Sequence, residues 1–248
     1  MELYFIRHGQ SQNNARWNDP NYIESPDPEL TRTGVEQTEI LAAHLEKSQL
    51  IREHEGWNPH NRHGFGLTHI YTSLMERAVH TAAPTAQRLQ IPFMAWAEIH
   101  ESGGIFGRDG AQKLRGLPGK SRSYFEEHFP QLALPTNLDG TGWWNERPFE
   151  TEEQCHLRAE GVWAELLARH GDKTNRAEER VVFVSHGGFF VHLMCVILDL
   201  PWLHASQGFK SWFLLNNCSI SRIDVRKTEI TLCYLNRTDH LPDSLLTG

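Results

Sequence analysis

MELYFIRHG, residues 1–9, runs a short stretch of mostly apolar, strand-forming side chains straight into Arg7, His8 and Gly9. An apolar run that stops so abruptly is the pattern of a buried strand emptying into a loop. Residues 180–188, RVVFVSHGG, repeat that pattern: a β-branched run halts at His186, Gly187 and Gly188, and the following FFVHLMCVILDL reads as a largely buried helix. Two strands that both end in a histidine followed by glycine put chemistry at the same end of one sheet.

The intervening chain supplies helices to cover such a sheet. From Thr33 to about Ser48, Leu41 and Leu45 share a helical face, and Thr33 with Glu36 reads as a capping box. THIYTS, residues 68–73, predicts a second strand, and residues 75–89 a helix that Pro84 kinks or shortens. PFMAWAEI, residues 92–99, predicts a third strand. Thr151 and Gln154 form another capping box, opening a helix to about His170. The closing segments, WFLLNNCSISRIDV and EITLCYLN, read as strands joined by a tight turn near Lys227. Alternation of strands and helices predicts a three-layer α/β/α sandwich with a mainly parallel central sheet and an antiparallel edge. Between about 102 and 150 the chain is rich in glycine and proline and lacks periodicity. We read a long irregular insertion within one domain spanning 1–248.

Composition narrows the function classes. The chain has 248 residues, with 24 Lys plus Arg against 31 Asp plus Glu, a net charge of −7 that opposes nucleic-acid backbone binding as the main role. No apolar run approaches the roughly 18 residues of a membrane span, and an acidic Glu2 rather than a basic leader opens the first strand. The expectation is a cytoplasmic protein without membrane or nucleic-acid partners. Cys155, Cys195, Cys218 and Cys233 are widely spaced, which predicts reduced, mostly buried thiols rather than a disulfide framework or zinc knuckle. His54, His60 and His63 fit no compact ligand spacing and read as solvated loop histidines.

In an open α/β sheet, ligands collect beyond the carboxyl ends of the strands. Arg7 beside His8 supplies a permanent planar donor suited to phosphate, and the glycines Gly9 and Gly187 permit close backbone approach. In SLMERAVHTA, residues 73–82, Arg77 falls in the first helical turn after the second strand, pointing toward the same crevice.

With these residues in view, the sequence resembles the histidine phosphatase superfamily, also called the phosphoglycerate mutase-like family. FIRHGQSQNN, SLMERAVHTA and VSHGGF match its first-histidine, second-arginine and second-histidine motifs in order and spacing. The resemblance implies that His8 attacks phosphorus, that Arg7 and Arg77 hold non-bridging oxygens, and that His186 donates to the same group. Neutral imidazole is an adequate nucleophile, two guanidiniums and an imidazole balance the charge in flight, and no metal or other cofactor is then needed. Asn14 matches a position that helps bind the phosphoryl group; Gln10 departs from the glutamate often found after the glycine.

The leaving alcohol needs a proton. Glu101, just after the third predicted strand, stands where relatives place their acid, and is favoured on position over Glu98 and Asp109. The resemblance therefore implies a metal-independent phosphatase acting on a phosphorylated small molecule. A mutase and a non-catalytic phosphate-binding protein are the alternatives. Against the mutase, the residues after Glu101 are Ser-Gly-Gly-Ile-Phe rather than that branch's tyrosine and basic residues. Trp143 and Trp144 read as packing within the insertion or its lid, ahead of a substrate wall or an oligomer contact. Arg108, Lys113, Arg115, Lys120 and Arg122 form a basic stretch, either a solvated face or a second anion subsite. Oligomeric state is not encoded in any pattern we can read.

Overall fold

The computed structural model describes residues 1–49, 56–145, 147–171, 179–204 and 208–248. In chain order, β1 (Glu2–Arg7) leads into a short α1 (Gln12–Arg16) and then α2 (Arg32–Lys47). β2 (His69–Thr72), α3 (Glu76–Leu89) and β3 (Phe93–Ala95) follow. A hairpin of β4 (Phe106–Arg108) and β5 (Leu114–Gly116) precedes α4 (Arg122–His128) and the long α5 (Glu152–His170). Then come β6 (Arg180–Ser185), α6 (Gly187–Ile197) and a ribbon of β7 (Leu203–His204) and β8 (Phe209–Lys210). β9 (Ile220–Arg226) and β10 (Glu229–Arg237) end the sheet.

The central strands lack a polar face because helices cover both sides, as parallel sheets require. β1 sends Tyr4 and Ile6 to the side where Leu41 and Leu45 of α2 and Ala78 and Ala82 of α3 pack. Leu3 and Phe5 go to the other side, against Ala159 and Val162 of α5 and Phe189, Phe190 and Leu193 of α6. β6 divides its residues likewise, Val182 and Val184 against Val181 and Phe183. The sheet order is β10-β9-β1-β6-β2-β3; β1, β6, β2 and β3 are parallel and the β9–β10 edge is antiparallel. The architecture is the three-layer α/β/α sandwich expected. Among the described residues, no helix is long and apolar enough to cross a membrane.

Several local expectations change. α2 starts at Arg32 with Thr31 as its cap, accepting from the Gly34 amide at 3.0 Å, so the Thr33–Glu36 box does not form. An N-cap must lie outside the helical dihedrals, and Thr31 is extended while Thr33 is already helical. Pro84 does not shorten α3, which runs on to Leu89. The third strand stops at Ala95 and Ala97–Ile99 turn as a 3-10 helix. Residues 212–219, read as strand, are irregular, and β9 begins at Ile220. The Lys227 turn holds, with φ +52°. The 151–170 helix keeps its full capping box between Thr151 and Gln154.

The insertion is more ordered than its sequence suggests. Beyond its hairpin and α4, Ala133 pairs with the edge strand β3 through hydrogen bonds to Phe93 and Ala95. Trp143 and Trp144 are buried and pack against His100, with Trp144 4.8 Å from that ring. Gly104 has φ +75°, and a side chain there would strike the Trp144 ring, so glycine here makes room for the insertion's own core. All four cysteines are unpaired, three of them buried.

Candidate active site

Register brings the two histidines together. β1 and β6 pair with Arg7 opposite Ser185, so the next residues, His8 and His186, leave the sheet side by side with ring centroids 5.1 Å apart. The His8 amide donates to Ser185 O at 3.0 Å, continuing the ladder one step past the strand. β2 pairs Thr72 with Val184, which places Ser73 beside the same loop; its Oγ lies 2.9 Å from His186 Nε2.

Hydrogen bonding fixes the His8 tautomer. Nδ1 lies 2.7 Å from Gly9 O, and a carbonyl only accepts, so Nδ1 carries the proton. Nε2 therefore presents a lone pair, and Arg77 Nε donates to it at 3.1 Å. Burial, then the charges of Arg77 and Arg7, hold the His8 pKa well below the ordinary imidazole value. His186 is held well below it as well, by burial, Arg77 and His8. Both imidazoles are neutral near pH 7. The His8 main chain is anchored by Asn217 Nδ2, which donates to His8 O at 2.9 Å, and Gly9 N donates to Thr81 Oγ1 at 2.9 Å.

Three buried nitrogens of these residues have no hydrogen-bond partner: Arg7 Nε, Arg77 Nη1 and His186 Nδ1. Buried donors without partners are rare and mark a place where an anion or water completes the bonding. Asp27 is 3.7 Å from Arg77 Nη1, too far for a hydrogen bond, and its Oδ1 accepts from the Glu76 amide at 3.1 Å. Burial pushes the Asp27 pKa up to about 6, against the lowering by Arg77. Arg7 Nη1 donates to Leu215 O, which fixes the other end of that guanidinium. The amino end of α6 begins at Gly187 beside Arg7, so the positive end of the helix dipole adds to an anion-attracting corner.

Glu101 enters this corner from the end of the β3 edge. Its Oε1 accepts from the amides of Ser102 and Phe189, each at 2.9 Å, leaving Oε2 outside both bonds. Glu98 instead pairs with Arg147 at 3.2 Å, and Asp109 caps the hairpin turn by accepting from the Ala111 and Lys113 amides. A cavity of about 690 Å³ opens here, lined among others by Asn13, Met75, Arg77, Glu101, Phe106 and Arg108. Of the basic stretch, Arg108 alone lines it; Lys120 pairs with Glu76 at 3.0 Å and Arg122 binds the carbonyls of Pro135 and Leu138. Trp143 and Trp144 do not line it.

Asn14 lies in α1, where its Oδ1 accepts from the Ser11 amide and from Asn217 Nδ2, both at 3.2 Å. Gly9 serves packing rather than ligand approach: an added Cβ would come 2.8 Å from Gly34 O. His60 and His63 lie in the 57–64 turn region, and His54 lies outside the described residues. Sequence reasoning missed Ser73, Asp27, Thr81 and Asn217. Thr81, four residues after Arg77 on α3, was legible as a neighbour on the same helical face; the others carry no local signal.

Against known proteins, the profile of the histidine phosphatase superfamily (branch 1) matches residues 3–54 and 59–238. The chain belongs to that superfamily. Over 229 residues it is 27% identical to the probable phosphoglycerate mutase GpmB of Klebsiella pneumoniae, covering 92% of this chain and 86% of that protein. Over 239 residues it is 25% identical to the adenosylcobalamin/alpha-ribazole phosphatase of Escherichia coli, covering 95% and 96%. A mycobacterial glucosyl-3-phosphoglycerate phosphatase shares the fold, with TM-score 0.57 at 19% identity over 96% of this chain and 99% of that one.

Proposed function

We propose that the protein is a metal-independent phosphomonoesterase that hydrolyses a small phosphorylated metabolite through a phosphohistidine on His8. The observation that carries this reading is the set of unpartnered buried nitrogens on Arg7, Arg77 and His186 beside a His8 whose Nδ1 bond to Gly9 O leaves the lone pair on Nε2.

In the first step the Nε2 lone pair forms a bond to phosphorus as the ester P–O bond breaks. Glu101 Oε2 gives its proton to the leaving oxygen. Arg7, Arg77 and His186 hold the non-bridging oxygens, and the developing charge meets donors already fixed by the fold. Asn14 and the Gly187 amide add contacts to the same group. In the second step Glu101 takes a proton from water, the water oxygen bonds phosphorus, and the N–P bond breaks to restore the His8 lone pair. The cavity of about 690 Å³ greatly exceeds a phosphoryl group and suits a ligand of metabolite size.

The test is phosphate release from a panel of phosphomonoesters in excess EDTA, with trapping of the phosphoenzyme by an alkaline detergent quench. Hydrolysis that persists under chelation, with an acid-labile phosphoenzyme absent in His8→Ala, is expected. Undiminished hydrolysis by His8→Ala would overturn the reading.

The identity to GpmB, named a probable phosphoglycerate mutase, favours a second reading in which the phosphoryl group returns to a glycerate. Among the described residues, Arg108 is the cation besides Arg77 that lines the cavity, and its planar fork suits a carboxylate. Interconversion of 2- and 3-phosphoglycerate faster than their hydrolysis would select the mutase.

A further inference from the structure

Behind the acid, away from the cavity, lies a buried cation that the proposed reaction does not use. Arg158 projects from α5 with its side chain 9% exposed. Its Nε and Nη2 bind the two oxygens of Glu150, each at 2.7 Å. Nη1 donates to the carbonyls of Glu98 at 2.6 Å and His100 at 3.2 Å. The guanidinium carbon stands 4.7 Å from the centre of the Phe189 ring.

These partners share a geometry. Glu98 and His100 lie where the chain enters the insertion, Glu150 where it leaves, and Glu150 N also donates to Gly103 O at 3.2 Å. The His100 carbonyl belongs to the peptide that carries Glu101. Phe189, beneath the guanidinium, supplies one of the two amides that grip the Glu101 carboxylate. The peptide after Glu101 is held too, because His100 Nδ1 lies 2.7 Å from Glu101 O. A planar fork with five donors can tie all these groups at once; an ammonium cannot.

We propose that Arg158 is a positioning residue for the general acid: it joins the two ends of the insertion and thereby sets where the Glu101 carboxylate stands. The proposal rests on the reading of Glu101 as the acid, and the experiment separates the two. A displaced acid slows the loss of a poor leaving group that needs its proton, and spares a good one that does not. General loosening of the fold slows both.

Hydrolysis of p-nitrophenyl phosphate and of glycerol phosphate is measured for wild type, Glu101→Gln, Arg158→Met, Arg158→Lys, Glu150→Gln and the Arg158→Met/Glu101→Gln double variant. Arg158→Met should lower kcat/KM, which ends at release of the alcohol and excludes the later attack of water, by about 10- to 100-fold on glycerol phosphate and by less than about threefold on p-nitrophenyl phosphate, as expected for an acid misplaced by roughly 1 Å. In the double variant the losses should not add, since both act through one group. Arg158→Lys and Glu150→Gln, which keep the pocket filled, should show the same selectivity to a smaller degree, and they decide the matter if Arg158→Met does not fold. Selectivity in Glu101→Gln with uniform losses in the Arg158 and Glu150 variants would overturn the positioning role. Absence of selectivity in Glu101→Gln itself would overturn the acid assignment and this inference with it.

Discussion

Gly188→Ala should cripple proton transfer while leaving phosphoryl binding in place. An added Cβ would sit 2.5 Å from Glu101 Oε1, 3.2 Å from its Cδ and 3.4 Å from Ser102 Cβ. To reach ordinary contact, the carboxylate must retreat by about 0.9 Å, which takes Oε1 out of reach of two amides now at 2.9 Å. Hydrogen bonds to a charged group are worth about 1.5–3 kcal/mol each, so the carboxylate does not yield freely. Misplacement of a catalytic group on the order of 1 Å costs about 100-fold, or about 2.7 kcal/mol of barrier. Alanine in the first turn of α6 gives back up to ~1 kcal/mol of helix propensity, so the melting temperature should fall by only a few degrees. The assay is continuous phosphate release from an alkyl and an activated aryl phosphate. In kcat/KM, which ends at release of the alcohol, the alkyl substrate should lose about 100-fold and the aryl less than about threefold. Gly187→Ala is the internal comparison: its Cβ would meet Arg7 Nε at an ordinary 3.7 Å, so the ratio between the two substrates should stay as in wild type. Equal losses on both substrates in Gly188→Ala, or an altered ratio in Gly187→Ala, would refute the reasoning.

Other consequences are equally direct. Arg77→Met removes one of the charges that depress the His8 pKa, so the imidazole pKa should rise toward its ordinary value, read by NMR titration of the ring protons over about pH 4–8. An unmoved His8 resonance would show burial acting alone. Glu76, pushed up by burial but pulled down further by His80, Tyr124 and Lys120, has its pKa lowered from 4.5 to about 2. The depressed value makes its stabilisation complete above pH 4.5 and progressively lost as the pH falls toward 2. The gap in melting temperature between wild type and Glu76→Gln should therefore narrow across that window and be constant above it. Gly34→Ala should destabilise the fold despite alanine's gain of about 1 kcal/mol in a helix, because its Cβ would overlap the Gln10 carbonyl oxygen. A thermal melt at or above wild type would show that the loop moves aside at little cost.

How much of this was legible before the fold is clear from particular elements. MELYFI and RVVFVS announced themselves because parallel strands buried on both faces must be apolar at every position, and that pattern is local. Arg7, His8, Arg77 and His186 were legible because each follows a strand or opens a helix, so its place at the carboxyl edge comes from its own neighbours. The Thr151–Gln154 box was legible for the same reason. Within the insertion, the burial of Trp143 and Trp144 followed from tryptophan's size, whereas its hairpin, α4 and the pairing of Ala133 with β3 rest on contacts that no periodicity records.

Tertiary structure alone decided the rest, since the groups involved meet across long stretches of chain. Asn217 reaches His8 O from 209 residues away, in a segment that reads as strand. Arg222, in the alternating ISRIDVR, is fully buried because Glu2 and Asp224 each meet it at 2.7 Å. Arg158 looks like one more charge on an amphipathic helix until both ends of the insertion close on it. A sequence displays what a residue's neighbours require of it. Which nitrogen of His8 keeps its lone pair, which of Glu98, Glu101 and Asp109 faces the cavity and which cation lies behind it are set by distances that exist only once the sheet has aligned its strands.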